Sequence, residues 1–200
     1  MSQIKLKHSG GNGVIIAAPS SNPASDRTIT LPSDADGTLA RTLDVSFKSY
    51  AIIADVKSGG NNGGTFTSGA WRTRDLNTEI ADDDGIVSIS SNQFTLQAGT
   101  YKINAYAPAH RVDRHQAALY NVTDASFVQK GINAYDDGSG ITNANVIAKF
   151  TITGAKVFEI QHRCQTTEND EGFGIKIQTG NSAGFDTTEV FCVVEIFKEA

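Results

Sequence analysis

Glu189-Val190-Phe191-Cys192-Val193-Val194-Glu195-Ile196-Phe197 is apolar on both faces of any strand it forms. Strand side chains alternate with period two, which sends Val190, Cys192, Val194 and Ile196 one way and Phe191, Val193 and Phe197 the other. A half-buried strand would show polar residues on one side. Here one face can line a core, and the second needs a cover of its own. The other strand-like stretches are mostly one-sided, so the pattern predicts that another copy of the chain supplies that cover. It reads as an oligomeric all-β protein.

Working back from this strand, the signal is one short strand after another with no helical periodicity. Tyr50, Ile52, Ala54 and Val56 alternate, and the glycine-asparagine loop Ser58 to Gly64 follows. A strand holding Trp71 and Leu76 is expected next, then Ile86 to Ile89 and Phe94 to Leu96 around the polar turn Ser90 to Gln93. Tyr101 to Ala107, Ala117 to Val122, Val146 to Ile152, Val157 to Cys164 and Phe173 to Ile177 complete the series. Short strands spaced by turn signals predict a β-sandwich or barrel. At this size an antiparallel jelly-roll sandwich over residues 46–200 is the natural solution.

Residues 1–45 differ in character. They hold Pro19, Pro23 and Pro32, three of the four prolines, and turn strings such as Ser9-Gly10-Gly11-Asn12-Gly13. Strand signals at Ile4–Lys7, Val14–Ala17 and Thr28–Leu31 are too short to bury a core alone. This stretch predicts a β-containing N-terminal arm that is ordered by docking or intertwining.

Composition narrows the function classes. Of 200 residues, 39% are hydrophobic and 20% charged, which suits a folded globular chain. The net charge of −5 and the lack of a basic stripe argue against nucleic acid. No apolar run approaches the ~18 residues of a membrane-spanning helix, so no membrane insertion is expected. Met1-Ser2-Gln3-Ile4-Lys5-Leu6-Lys7 has no signal-peptide core, which predicts folding in a cytoplasm. Cys164 and Cys192 sit in apolar strands without a CxxC, and read as buried thiols.

Leu96-Gln97-Ala98-Gly99-Thr100-Tyr101-Lys102-Ile103 resembles the "leucine, two residues, Gly-x-Tyr, strand" signature of the tumour-necrosis-factor-like jelly roll, the family that includes the complement globular heads. The resemblance implies a homotrimer whose C-terminal aromatic strand packs near a threefold axis. Phe191, Val193 and Phe197, with Tyr101 of the Gly-x-Tyr strand, are the expected trimer-interface residues. A second resemblance is to structural proteins of bacteriophages of marine and cyanobacterial hosts. It is carried in the arm by residues 4–13, 18–28 and 31–32. In the jelly roll it is carried by Trp71-Arg72-Thr73-Arg74-Asp75-Leu76-Asn77-Thr78, Arg111-Val112-Asp113-Arg114-His115-Gln116 and Phe158-Glu159-Ile160-Gln161-His162-Arg163-Cys164. It implies a virion protein of tail-fibre type, assembled in the host cytoplasm. Residues 1–45 would hold the capsid or tail, and the jelly roll would meet a host surface glycan or protein. The sequence holds no collagen-like or coiled-coil shaft, which favours the alternative of a capsid-decorating or head-fibre protein that stabilises the shell.

No catalytic signature accompanies these patterns. There is no serine elbow, P-loop or HExxH. His110 and His115 would face opposite sides of a strand, so with Asp113 they read as structural. Asp82-Asp83-Asp84-Gly85 and Asp136-Asp137-Gly138 lack the alternating oxygens of a calcium loop and read as turns. The expectation is a non-enzyme without metal or cofactor. Glycine and asparagine dominate Ser58–Gly64, Asp136–Gly140 and Thr179–Gly184, which makes Asn61, Asn62, Asp136, Asp137 and Asn181 the candidate receptor-loop residues. Trp71 reads as packing, with stacking on a sugar as the minority reading.

Overall fold

The computed structural model describes residues 3–7, 9–11, 13–17, 47–138, 140–177 and 188–199. The Thr28–Leu31 strand, the Thr179–Gly184 loop and Asn181 lie outside the described residues. Chain contacts separate two units, Met1–Ala40 and Arg41–Ala200. In the first, β1 (Gln3–Lys7) and β2 (Gly13–Ala17) form an antiparallel hairpin with Lys7 opposite Gly13.

The second unit is a sandwich of two antiparallel sheets, and no helix occurs among its described residues. Its strands are β3 (Ser49–Ser58), β4 (Arg72–Thr73), β5 (Thr78–Ala81), β6 (Val87–Ser90), β7 (Gln93–Leu96), β8 (Gly99–Ala109), β9 (Asp113–Asn121), β10 (Ser126–Asp136), β11 (Thr142–Ile152), β12 (Lys156–Cys164) and β13 (Thr188–Lys198). One sheet runs β11-β8-β13-β3-β5. The other runs β10-β9-β12-β7-β6, with β4 also paired to β12. Successive strands cross repeatedly from one sheet to the other, which is the jelly-roll arrangement.

Local chemistry explains several elements. In β8, Tyr101, Ile103, Ala105, Ala107 and Ala109 are buried and alternate with Thr100, Lys102, Asn104, Tyr106 and Pro108. Ser90 pairs with Gln93, so β6 and β7 turn through Ser91 and Asn92, at φ +53° and +65°. Two positive φ values make the tight turn whose twist matches a hairpin, and asparagine tolerates that region. The facing sheets meet in one core, with Ile53, Tyr101, Ile103, Val194 and Ile196 on one side and Phe94, Leu96, Leu119, Phe158 and Ile160 on the other. Each fully buried side chain of this size stabilises the fold by about 1.5–3 kcal/mol.

The decisive strand carries a correction. Val190 pairs with Val56 and Val193 with Ala54, so β13 spends three steps where β3 spends two. This bulge reverses the alternation. Val190 is 52% exposed, while Phe191 and Cys192 are both buried. Phe191 fits because Gly174, at φ +133°, has no Cβ; one built there would lie 2.5 Å from Phe191 Cδ1. Two other expectations change. Phe173–Ile177 is a loop and not a strand, and β10, which has no counterpart among the expected strands, lies at the edge of its sheet.

Candidate binding surfaces

Three surfaces stand out: one end of the sandwich and the two outer sheet faces. Of the loops expected to meet a receptor, Ser58–Gly64 and the described part of Asp136–Gly140 are held by bonds to neighbouring loops. The segment after β12 bonds to the loop after β3 through Phe66 N to Glu168 O (2.9 Å), Gly64 N to Asp170 O (2.8 Å) and Gly63 N to Gly174 O (2.8 Å). Phe66, Ala109, Val112 and Cys164 form a small second core against Phe173. Asn62 is buried, donating to Asp170 Oδ2 at 2.6 Å and accepting from Lys176 N at 2.9 Å. Asp136 is buried as well, accepting from Arg111 N and Gly138 N, both at 2.9 Å. These two side chains therefore hold loops and do not offer themselves to a partner. Asn61 and Asp137 are exposed.

The histidine group separates in the same way. His110 bonds the Gly140 carbonyl at 2.6 Å, and Asp113 accepts from the Thr166 hydroxyl. His115 points inward, 2.9 Å from His162 Nε2 and 2.8 Å from the Thr142 hydroxyl. His162 packs against the Phe66 ring, with centroids 4.6 Å apart, and Phe66 in turn stacks on Phe173 at 4.4 Å. Burial holds the His115 pKa down to about 4 and His162 well below its ordinary value, with the Arg74 guanidinium adding to both. No group of three or more His, Cys, Asp or Glu side chains that could hold a metal occurs among the described residues. Both cysteines are free and buried, and burial pushes each thiol up to about 11.

Arg74 has no site role in the sequence reading, yet it is the largest fully buried side chain among the described residues. Its guanidinium donates to Pro108 O and Phe173 O at 3.0 Å each and lies 4.2 Å over the Phe173 ring. It thus clips the loop after β12 to the body of the sandwich. A buried charge is costly unless its donors are met; the two carbonyls take one bond from each terminal nitrogen, and the buried Nε has no hydrogen-bond partner among the described residues.

The outer face of the five-stranded sheet carries an aromatic and aliphatic cluster among polar side chains. Register places Tyr106 beside Val193, Asn104 beside Glu195 and Lys102 beside Phe197. On the far side, Ile52 and Tyr50 follow beside Glu195 and Phe197. Phe47 and Tyr50 flank Phe197, with ring centroids at 4.9 and 4.8 Å. Ile147 of β11 is 63% exposed, opposite Asn104. Glu195 sits centrally and accepts from Tyr50 (3.3 Å), Asn104 (3.1 Å) and Tyr106 (3.4 Å). Val193 and Phe197 thus occupy this face. Phe191 and Tyr101 do not: both are buried within their own chain, and the Tyr101 hydroxyl donates to Gln97 O at 3.0 Å.

The outer face of the six-stranded sheet is different. It carries a groove of about 870 Å³, within the usual size range of ligand sites. Trp71, held with its ring 5.0 Å from Phe127, walls one side, and the exposed Tyr135 stands on another. Arg114, Lys130 and Arg163 supply three cations to the lining, and no carboxylate joins them among the described residues. Gln165 accepts from Arg114 at 2.8 Å, and Gln116 donates to Asn133 Oδ1 at 2.8 Å. His115 and Cys164 border the groove, but a thiol pushed up to about 11 beside an imidazole held down to about 4 is the reverse of an activated nucleophile and base. Of this lining, the sequence offers Trp71 as a minority sugar-stacking contact and reads His115 as structural. The lining residues are scattered along the chain and only the sheet register assembles them.

No protein-family model and no curated protein matches the chain. Among solved structures, the chain is similar to the globular domain of a zebrafish complement 1qA protein, at 14% identity and a TM-score of 0.47, over 76% of this chain and 97% of that one. It is also similar to murine APRIL at pH 5.0, at 6% identity and a TM-score of 0.47, over 75% of this chain and 98% of that one.

Proposed function

We propose that this chain is a homotrimeric, non-catalytic surface module of a bacteriophage virion that mediates attachment to the host. The observation that carries the reading is the outer face of the five-stranded sheet. Its opposite face is already spent on the core, yet it presents Phe47, Tyr50, Tyr106, Ile147, Val193 and Phe197 around one central carboxylate. A contiguous apolar patch of this kind is costly to leave in water and marks an association surface. Copies of the same chain are the cover proposed here, which leaves the six-stranded sheet free to face outward. Residues 1–45 would hold the trimer to capsid or tail. The virion assignment rests on the phage-like segments in the sequence. A binding role over an enzymatic one is supported by the groove chemistry, where the only thiol and imidazole are poised for neither attack nor proton transfer.

Purified protein should label host cells and compete with phage adsorption. Normal adsorption by particles lacking it, together with heads that burst more easily, would overturn attachment and establish a shell-stabilising role instead.

A further inference from the structure

The groove on the six-stranded sheet identifies its own class of ligand. We infer that it binds a carboxylated saccharide, with Trp71 as the stacking platform and Arg163, Arg114 and Lys130 as the carboxylate partners. This deepens the attachment reading and rests on it for its biological setting.

Charge complementarity is the first support. The chain has a net charge of −5, yet among the described residues three cations and no acid line this groove. Arg114 is preorganised by its bond to Gln165 and by the Tyr135 ring 5.8 Å from its guanidinium carbon. Arg163 is exposed and its guanidinium makes no hydrogen bond or ion pair among the described residues, so its fork of donors is open to a carboxylate. Lys130 Nζ lies 5.9 Å from the Trp71 ring centre and 5.1 Å from that of Phe127, which keeps a cation beside the stacking surface.

Geometry selects a saccharide over other polyanions. The groove lies on a sheet face, where backbone N–H and C=O groups are already paired in the ladders of β9 with β10 and β12. An acidic peptide recognised by strand addition would pair along the outer edge of β10, two strands away from Arg163 on β12. What remains is side-chain amide, guanidinium and aromatic surface, which suits hydroxyl-rich rings with a carboxylate attached. Single-stranded nucleic acid also uses aromatic platforms and cations, but it needs a groove that neutralises phosphates along its length. Three cations on an acidic chain fall short of that.

Trp71 is the only tryptophan in the chain, so its fluorescence reports on this groove alone. The test titrates the full chain with an oligogalacturonate tetramer and with its methyl ester, followed by Trp71 emission and calorimetry. The acid should bind at least tenfold more tightly than the ester. R163Q and K130Q, both at exposed positions, should each weaken it several-fold while leaving the melting temperature unchanged. The inference is overturned by no signal at millimolar tetramer, by equal binding of the ester, or by equal binding of tetraglutamate or a thymidine tetranucleotide. Failure here with adsorption competition intact removes the saccharide and leaves attachment standing. Tetramer binding without host labelling or adsorption competition does the reverse.

Discussion

The outer faces of the two sheets come from the same alternation of strand side chains, yet they carry opposite chemistry. On the five-stranded sheet, aromatic and aliphatic groups surround one carboxylate, and that carboxylate is occupied by Tyr50, Asn104 and Tyr106. On the six-stranded sheet, cations and amides surround two aromatic rings, and no carboxylate among the described residues lines the groove. The first face gains by excluding water over a broad area. The second sets several directional donors beside its aromatic surface. One suits a flat partner of the same kind, the other a small polar ligand. The difference lies in which residues fill the outward positions, and the fold is indifferent to it.

The largest effect should remove both faces together. Phe158 packs between Phe94 and Phe150 in the shared core, with ring centroids at 5.8 and 5.2 Å. Phe158→Ala should cost about 3–5 kcal/mol by chemical denaturation, and association and groove binding should fail in parallel. If one face survived intact, the sheets would not share a core in the sense described.

Acid should come next, and it acts on the core beneath the groove. His115 and His162 are buried and neutral, with pKa values depressed by burial. The unfolded chain therefore binds more protons below its own histidine pKa of about 6.5. Stability is at its plateau above that value and falls as the pH drops toward about 4, at about 1.4 kcal/mol per unit for His115. Melting curves between pH 7 and 4 check this. His115→Gln should flatten the slope, and an unchanged slope would place the titration elsewhere.

Separating the faces needs a smaller change. Phe197→Asp removes about 1.5–3 kcal/mol of apolar burial per subunit and adds a second carboxylate to the face that holds Glu195. It should weaken association by about 100-fold or more while Trp71 fluorescence titrations remain as in the parent. Loss of both would show that the groove depends on assembly.

The smallest effect concerns the pinned end. Asn62→Ala deletes two buried hydrogen bonds and should cost about 1–3 kcal/mol. Asn61→Ala, at an exposed position, should stay within about 0.5 kcal/mol. Equal costs would contradict the assignment of Asn62 as a structural pin.

These contrasts show what the sequence makes legible. β8 is plain, because five alternating inward residues leave no other register. The second face of β13 is legible in outline and wrong in detail. One inserted residue at Phe191–Cys192 carries Phe191 into the core, and nothing in a string of apolar residues marks where such a bulge falls. β10 is hidden for a related reason: it is an edge strand with two register shifts, between Phe127 and Gln129 and between Lys130 and Asn133. With most of its side chains exposed or half-exposed, neither period survives. Arg74 is unreadable because an arginine in a polar run looks like surface. The glycine-asparagine composition of Ser58–Gly64 correctly marks a loop, but Asn62 is there to bond Asp170 and Lys176, which only the tertiary fold reveals.

The central claim is that copies of the chain cover the outer face of the five-stranded sheet. Native mass spectrometry or light scattering on the full chain at about 10 µM tests it most directly. The account predicts a single species of three chains. A stable monomer at that concentration would contradict it.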